Sequence, residues 1–525
     1  MYRYPVGNDD FASLRRDKEM YVDKTHYINQ IVNGSKFVFL SRPRRFGKSL
    51  LCSTLKAYFE GRSELFEGLY IAAEESKKEK PWVKYPVLYF NMSDIKNKTP
   101  EEMTGSLMFK CRNYIEEYGI AKEAKTPGDV LTDLIERAYK QTGEPVVLIF
   151  DEYDAPLLNY LHKPEQLERV RQLLQEFYAP IKSCSAYERF CFITGITKFS
   201  QLSIFSTINN LNNISMLPAF AGICGITHEE LREGLRSDVE RLAQALGCTT
   251  EETYETLRRN YDGYHFTRGE TGVYNPYSLV KAFANKEIDN YWFDSGTPTF
   301  LIEHLMRFHT DLTKLEDMEA TANEFDLPAQ ALTSAIPLLY QSGYVTIKHY
   351  DDGVYTLGIP NNEVRVGLNC GLMLTVIGIE GGNIQRSFSV KFKRHLMTGD
   401  AESAMKELKA YMGGLPYVEG FKQKLADVAN VEGFYEWTFY LILSNLNIYC
   451  RTQVKCIGGR IDCVVETAGY IYVMELKING SAASALKQID DKGYAIPYSA
   501  DGRKVVKIGI RFDAKTRSVK EWKIN

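Results

Sequence analysis

The feature that most constrains this chain is an apolar stretch that leads through a basic glycine loop into a helical pattern. Lys36–Leu40 (KFVFL) is typical of a short buried strand, and Leu50–Phe59 has apolar residues at helical spacing. Between them lies SRPRRFGKSLL, at Ser41–Leu51. A strand, a loop that ends in Gly-Lys-Ser and a helix are the setting of a phosphate-binding loop. The full pattern begins with glycine, whereas this loop has Arg42 there.

Each residue of the tripeptide would have a physical task at a nucleotide. Gly47 would let the main chain approach the phosphates, Lys48 would reach the β- and γ-phosphates, and Ser49 would offer a hydroxyl to Mg²⁺. The tripeptide alone is weak, because a helix N-terminus with a solvated lysine has the same residues. For Arg44 and Arg45, a contact with phosphate or with a partner and a solvated basic turn remain equally open.

A second element strengthens the nucleotide interpretation about one hundred residues later. Pro145–Phe150 (PVVLIF) reads as a buried strand and is followed by Asp151 and Glu152. At the carboxyl end of a strand, Asp151 would hold Mg²⁺ and Glu152 would polarise the attacking water as a general base. The sequence therefore predicts an ATP site with Mg²⁺.

A further strand, Phe190–Thr194 (FCFIT), adds a residue whose role stays open. Thr194 or Thr197 would lie between the lysine strand and the carboxylate strand and orient the water, or would only cap its own strand. The residues predicted to bind the nucleotide are Arg44, Arg45, Phe46, Gly47, Lys48, Ser49, Leu50, Asp151 and Thr194.

Strands alternate with helices through the first half of the chain, with another strand at Val87–Asn91 (VLYFN). Buried strands that alternate with helices predict a parallel α/β sheet with helices on both faces. From about residue 225 the pattern becomes mostly helical, and it changes again near residue 375. We therefore expect three domains, at residues 1–225, 226–375 and 376–525.

The last part of the chain reads as a compact β-meander between helices. Its predicted strands are Gln453–Ile457, Arg460–Glu466 and Tyr470–Lys477, and the Gly-Gly pair between the first two is a hairpin signal. Helices are expected at Glu402–Tyr411, at Gly433–Leu446 and from about Ala482 to Tyr494.

Two carboxylates and a lysine should meet on this meander. Glu475 and Lys477 lie two apart on one strand and so share a face, and Asp462 lies on the neighbouring strand. Two close carboxylates are costly unless a cation lies between them, and Mg²⁺ prefers such oxygen ligands. Glu436, in the apolar run FYEWTFYLIL, would add a further metal ligand or hold a water. The pattern is loose, and solvated charges on strands are its ordinary alternative.

Composition limits where such a protein would act. The net charge is −3, so a nucleic-acid site would have to be a local patch. The ten cysteines form no CxxC pair, which fits a reducing cytosol. The start, MYRYPVGNDDF, is unlike a signal peptide, and no apolar run approaches the roughly 20 residues that cross a bilayer. We expect a cytoplasmic protein with no membrane contact.

The combination of motifs resembles a known family. YVDKT, SRPRRFGKSLL, VVLIFDEYDAP, ITGITKFS, IFSTINNL, YDGYHF and VYNPYSL look like those of the bacterial AAA-ATPase-like family. In that family the loop without its first glycine is the usual form. The resemblance implies that residues 21–25 lie beside the nucleotide and that the middle region is a helical lid with a winged-helix-like part. On this view the arginines of the loop crowd the phosphates.

The C-terminal pattern resembles the PD-(D/E)XK nuclease superfamily, whose domains follow such ATPase domains in the chain. The resemblance implies a catalytic core of Asp462, Glu475 and Lys477, with Glu436 and Gln488 as accessory residues. Two functions follow. One is an ATPase coupled to a Mg²⁺-dependent nuclease, for which DNA is favoured over RNA as substrate. The other is a nucleotide-dependent switch or DNA-binding protein whose nuclease-like module is inactive.

Overall fold

The chain folds into two units in the computed structural model. The first comprises Met1–Trp292 and Asp317–Asn361, and the second comprises Phe293–Glu316 and Asn362–Asn525. The structure describes residues 2–95, 99–120, 124–158, 160, 163–197, 211–292, 301, 305, 308, 315, 317–325, 334–372, 383–413, 449–513 and 518–525. The division into three domains at residues 225 and 375 stays a prediction.

A parallel sheet forms the centre of the first unit. Its strands have the order β2-β3-β4-β1-β5, and every neighbouring pair is parallel. The strands are β1 Phe37–Ser41, β2 Val87–Asn91, β3 Val146–Asp151, β4 Glu188–Gly195 and β5 Asn212–Asn213. The strands predicted from apolar runs are confirmed, because strands covered on both faces need continuous apolar sequence. The short edge strand β5 was not predicted.

Helices flank this sheet and are bounded by ordinary capping chemistry. Thr99 and Thr126 cap two of them with their hydroxyls, and in both a proline occupies the first helical turn, where its missing N–H costs nothing. The helices are α1 Phe11–Arg16, α2 Thr25–Val32, α3 Lys48–Phe59, α4 Tyr70–Glu75, α5 Pro100–Tyr118, α6 Pro127–Thr142, α7 Ala155–Leu158, α8 Pro164–Tyr178 and α9 Pro180–Ser183.

The remainder of the first unit is mixed rather than helical throughout. The helices are α10 His228–Gly234, α11 Arg236–Leu246, α12 Thr250–Tyr261, α13 Pro276–Asn285, α14 Ala322–Phe325 and α15 Ile336–Ser342. The strands are β6 Ile226–Thr227, β7 Val273–Tyr274, β8 Met318–Thr321, β9 Thr346–Asp351 and β10 Val354–Gly358. Antiparallel β8, β10 and β9 form a small sheet beside α14, and the expected winged-helix-like part of this region stays a prediction.

The second unit is built on a mixed five-stranded sheet of order β11-β12-β13-β14-β15. Its strands are β11 Tyr449–Cys456, β12 Gly459–Glu466, β13 Tyr470–Lys477, β14 Lys504–Asp513 and β15 Ser518–Ile524. Its helices are α16 Asn362–Leu372, α17 Asn383–Met397, α18 Ala401–Gly413 and α19 Ala482–Asp491. The predicted helix at Gly433–Leu446 lies outside the described residues.

The predicted three-stranded meander is therefore only part of this five-stranded sheet. α19 carries the chain across the sheet so that β14 pairs in parallel with β13, and β15 then closes the edge. The crossing is tight at Gly509, where an added Cβ would lie 2.3 Å from the carbonyl oxygen of Ala482. A crossover of this kind leaves no hairpin signal in the sequence, so the pairing of β14 was not visible there.

Candidate functional sites

The phosphate loop opens onto a cavity of about 390 Å³ within the first unit. Three segments line it: the N-terminal arm (residues 5–9, 20–22 and 24), the loop with the start of α3 (residues 45–51), and residues 223–226 with the start of α13. Glu152 completes the wall from the end of β3. The volume is that of a small-molecule site.

The loop has the backbone conformation that a phosphate site requires. Gly47 has φ 91° and directly precedes α3, so a residue with a Cβ would be strained there. Lys48 is buried, and its Nζ donates a hydrogen bond to the carbonyl oxygen of Pro43 at 3.0 Å. The start of α3 is therefore exposed to the cavity with a cation beside it, which favours an anion.

Asp151 is a buried carboxylate that still has an oxygen available to bind a cation. Its side chain is fully buried, its Oδ1 accepts no hydrogen bond from the described residues, and the Tyr89 hydroxyl lies 3.4 Å from its other oxygen. Burial raises the pKa of Asp151, and a hydrogen bond with Ser49 opposes that rise. The hydroxyl and the unsatisfied oxygen are together the donor set that suits Mg²⁺.

Glu152 is held in an unusual backbone conformation. Its φ is 49°, in the left-handed region that residues with a Cβ rarely adopt. Burial raises the pKa of its carboxyl, and the charge of Lys48 opposes that rise. Glu152 thus combines a strained backbone with a carboxyl group of raised pKa, and it lines the cavity beside the phosphate loop. These properties suit a general base.

Asp154 is a residue whose role the sequence did not reveal. Its fully buried carboxylate accepts hydrogen bonds from the amide and hydroxyl of Thr197, at 2.6 and 2.5 Å, and from the amide of Ile196 at 3.1 Å. Gly195 fits against it so closely that an added Cβ would lie 2.4 Å from Oδ1. Asp154 therefore ties the segment after Glu152 to the end of β4.

Arg42 corrects one expectation about the loop. Its guanidinium is buried, donates to the carbonyl oxygens of Ser215 and Phe220 at 2.8 and 3.1 Å, and lies 4.4 Å from the ring centre of Phe266. It does not line the cavity, so the expectation that it crowds the phosphates is wrong. Its side chain turns into the core and supports the loop from below.

The other predicted nucleotide residues divide by position. Arg45 lines the cavity, but its guanidinium donates to the carbonyl oxygens of Tyr291 and Trp292 at 2.8 and 2.9 Å. Arg44 is exposed and lies outside the cavity wall. Phe46 and Leu50 both line the cavity, and the buried Phe46 ring also packs edge-on to Tyr264 and Phe266.

Thr194 lies between the lysine and carboxylate strands, as its place in the sequence predicted. It is the last residue but one of β4, which pairs with β1 on one side and with β3 on the other. Its buried hydroxyl donates to the carbonyl oxygen of Leu40 at 2.7 Å. This hydrogen bond fits the strand-cap alternative, and a role for Thr194 toward the nucleotide stays a prediction.

The N-terminal arm forms the opposite wall of the cavity. Tyr21, Val22 and Lys24 line it, in agreement with the expected place of residues 21–25. Lys24 Nζ donates to the Glu230 carboxylate at 2.6 Å and to the Gly222 carbonyl oxygen at 2.7 Å. The arm is thereby fixed to the start of α10.

The carboxylates and lysine of the second unit converge, as the strand pairing predicted. Asp462 accepts a hydrogen bond from the amide of Leu476 at 2.8 Å, so it lies against Glu475 on β13. Lys477 Nζ lies 3.4 Å from Glu475 Oε1, and Gln488 on α19 donates to that same oxygen. Burial, followed by the charge of Asp462, raises the pKa of Glu475, and Lys477 opposes that rise.

The chemistry of this cluster suits a cation. Glu475 is buried, and its Oε2 accepts no hydrogen bond from the described residues. An unsatisfied carboxylate oxygen beside a second carboxylate suits Mg²⁺. The described residues contain no group of three or more His, Cys, Asp or Glu side chains placed to hold a metal. Glu436, the predicted additional ligand, lies outside them.

Comparison with known proteins agrees with this architecture. The model of a family described as Predicted AAA-ATPase matches residues 5–205, and that of the PD-(D/E)XK nuclease superfamily matches residues 430–522. An uncharacterized protein in the vnfD 5′ region of Azotobacter chroococcum mcd 1 is 32% identical over 524 residues, which covers 98% of each chain. No solved structure gives a significant match. The chain therefore belongs to the predicted AAA-ATPase family and carries a C-terminal domain of the PD-(D/E)XK nuclease superfamily.

Proposed function

We propose that this protein is an ATPase coupled to a nuclease, which uses Mg²⁺ at both sites and hydrolyses phosphodiester bonds of nucleic acid. The observation that carries the ATPase half is the single cavity that brings Gly47, Lys48 and Ser49 together with Glu152. An anion-binding helix start and a carboxyl group with a raised pKa are the two parts that phosphoryl transfer to water needs.

The residues of the first unit divide this task. Lys48 leaves the Pro43 carbonyl oxygen and neutralises the phosphates, while the amides at the start of α3 bind their oxygens. Ser49 and Asp151 hold Mg²⁺, which supplies charge neutralisation between the phosphates. Glu152 orients and deprotonates the attacking water. Arg45 and Thr194 assist at the nucleotide.

The second unit supplies the nuclease chemistry. Asp462 and Glu475 would hold Mg²⁺, with Glu436 as a further ligand, and the metal would supply a water nucleophile and charge stabilisation. Lys477 orients the water, and Gln488 fixes Glu475 by its hydrogen bond. DNA is the favoured substrate over RNA. The cysteines of the described residues are free, which supports a cytoplasmic location.

A second function remains in competition. The net charge of −3 gives the chain no overall attraction for a polyanion. A nucleotide-dependent switch or DNA-binding protein with an inactive nuclease-like module would suit that charge equally well. In neither function is a membrane partner proposed, and no helix among the described residues is long and apolar enough to cross one.

The test measures both activities on the full chain. ATP hydrolysis and cleavage of plasmid, single-stranded DNA and RNA are assayed with Mg²⁺, with and without ATP. Lys48→Ala should abolish hydrolysis, and Glu475→Ala should abolish cleavage while it leaves hydrolysis intact. Lys56→Ala, on the same helix as Lys48, and Glu407→Ala, on α18, are the matched controls.

The outcomes separate the two functions. Hydrolysis of ATP without cleavage of any substrate would favour the switch. Hydrolysis by Lys48→Ala at the wild-type rate would show that the nucleotide site is misassigned. Cleavage by Glu475→Ala at the wild-type rate would remove the nuclease centre from Asp462, Glu475 and Lys477.

A further inference from the structure

The turn between β11 and β12 carries a solvent-exposed isoleucine. Ile457 is fully exposed, with a relative accessibility of 111%, and is the most exposed large hydrophobic residue of the described chain. Exposure of a whole aliphatic side chain to water is unfavourable relative to its burial. Its position at the tip of a hairpin makes it the outermost point of that strand pair.

The backbone of this hairpin tip, Ile457 and Gly458, is held in place by close packing. Gly458 packs on the main chain just after α19, where an added Cβ would lie 1.9 Å from the carbonyl oxygen of Lys492. Gly459 has φ 133° and lies under the ring of Tyr494, which is itself buried in the core of this unit. Only glycine allows both approaches, so the backbone holds Ile457 outward in a fixed direction.

The tip lies at the same end of the sheet as the carboxylate cluster. Asp462 is three residues past Gly459, near the start of β12. β13 runs antiparallel to β12, so its last residues, Glu475–Lys477, reach that same end. A polymer bound at the carboxylates would therefore extend toward the tip within a few strand residues, each of which rises about 3.3 Å.

Two basic side chains lie on the segments that form and brace the tip. Arg460 follows Gly459, Lys492 lies against Gly458, and both side chains are exposed. Of the nearby carboxylates, Asp490 is paired with Lys507 at 2.6 Å, and Asp491 is exposed. A second aliphatic side chain, Ile496, is 72% exposed and lies over Gly493, next to the residue that braces the tip.

We propose that Ile457 is an apolar wedge, which inserts at a base step of the double-stranded nucleic acid held at the nuclease site. This inference rests on the proposed nuclease function and specifies the form of its substrate. Two separate aliphatic side chains are too little for a protein interface, which buries about 800 Å² per partner. They are what minor-groove proteins use to unstack one step, with cations on the flanking phosphates.

The experiment measures binding without chemistry. A short DNA duplex with an internal 2-aminopurine is titrated with the full chain in EDTA, and anisotropy reports binding while base fluorescence reports unstacking. Wild type should bind and raise the fluorescence. Ile457→Ser should lose the rise and bind about tenfold more weakly, as loss of a small hot spot does. Ile457→Leu should restore both signals, and Val390→Ser, at another exposed apolar residue on α17, should change neither.

The electrostatic part and the kind of duplex are tested alongside. Arg460→Ala should lower the slope of log affinity against log salt by about one and keep the fluorescence rise. An RNA duplex is the parallel arm, and its A-form minor groove should accept the wedge less well. Equal signals on RNA would keep the wedge and change the preferred substrate.

Three results decide against the wedge. Ile457→Ser with wild-type affinity and fluorescence overturns it and leaves the nuclease function standing. A change of sedimentation in Ile457→Ser, with unchanged binding, assigns the tip to contact between protein copies. Failure of wild type to bind any nucleic acid, in EDTA and again with Mg²⁺, overturns the wedge together with the nuclease half of the proposed function.

Discussion

At the residue scale, Arg42 shows how this loop works without the glycine that usually begins it. The hydrogen bonds of its buried guanidinium go to main-chain carbonyl oxygens of residues 41, 215 and 220, and its plane stacks near Phe266. Burial lowers the pKa of Arg42. The planar fork of arginine satisfies several carbonyl oxygens at once, which lysine cannot do. The residue is a structural prop for the loop.

Restoring the usual glycine should therefore harm the protein. Arg42→Gly leaves buried carbonyl oxygens without donors and creates a cavity, so we expect a loss of about 3 kcal/mol in unfolding free energy. Nucleotide affinity per folded molecule should not improve. Thermal and urea denaturation measure the effect, with Arg259→Ala on the exposed face of α12 as control. An Arg42→Gly protein as stable as wild type would refute this structural role of Arg42.

Glu188, at the start of β4, should make stability depend on pH. Burial raises its pKa from the usual 4.5 to about 8, against the charge of Lys36. Between those values the folded state holds a proton that the unfolded state has lost. Stability should thus fall as pH rises from about 5 to about 8. Glu188→Gln should remove this slope, which urea unfolding at several pH values would measure. An unchanged slope would place its origin elsewhere.

Neither Arg42 nor Asp154 could be assigned its role from the sequence. Arginine and aspartate are seldom fully buried, so the ordinary expectation places both in solvent. Their partners are 173 and 43 residues away in the chain. Gly47, Lys48 and Ser49 were predictable because their chemistry depends on neighbours in the sequence, whereas a buried polar residue depends on what the fold brings to it.

At the scale of elements, the end of β3 is held in place by the end of β4. The Tyr153 amide donates to the Thr194 carbonyl oxygen at 3.1 Å, its hydroxyl donates to the Thr197 carbonyl oxygen at 2.8 Å, and Asp154 binds residues 196 and 197. Glu152 is thus fixed on both sides. A left-handed residue persists only where its surroundings determine it in this way.

We expect Asp154 to position Glu152. Asp154→Asn puts an amide against amide donors, so kcat for ATP hydrolysis should fall by about tenfold or more while KM changes little. In the Glu152→Gln background the same change should have almost no further effect, because the two residues act as a unit. Steady-state kinetics measure both.

Thr197→Val is a milder companion change, since it removes only the hydroxyl donor to Asp154. It should show a smaller fall in kcat of the same kind. Independent, additive losses from Asp154→Asn and Glu152→Gln would mean that Asp154 supports the fold and does not act through Glu152.

Elements were predictable to the degree that their own residues determine them. β1, β3 and β13 are apolar runs whose bounds were predicted to within a residue or two. β15 reads SVKEWKI, and its outer residues are charged because it is an edge strand. Its place follows from pairing with β14, which no local pattern reveals. The carboxylate cluster was predictable because the hairpin turn set the register.

At the scale of the whole molecule, the two sites should respond separately to their ligands. ATP with Mg²⁺ binds only the folded first unit, so at one hundred times Kd it should add about 2.7 kcal/mol to that unit's stability. Lys48→Ala should remove the gain, and Glu475→Gln should retain it. Differential scanning calorimetry measures the shift. A gain that survives Lys48→Ala would mean that ATP binds elsewhere.

The first unit is interrupted in the sequence by a segment of the second, and this order has a consequence during synthesis. Residues 293–316 belong to the second unit but are made before residues 317–361, which complete the first. Gly263, in the first segment, packs so closely on Pro360 that an added Cβ would lie 2.3 Å from its carbonyl oxygen. On the ribosome, the ATPase unit therefore waits for about seventy further residues after Trp292 before its own last strands emerge. A nascent chain stalled within that interval should be open to protease and should hold nucleotide poorly.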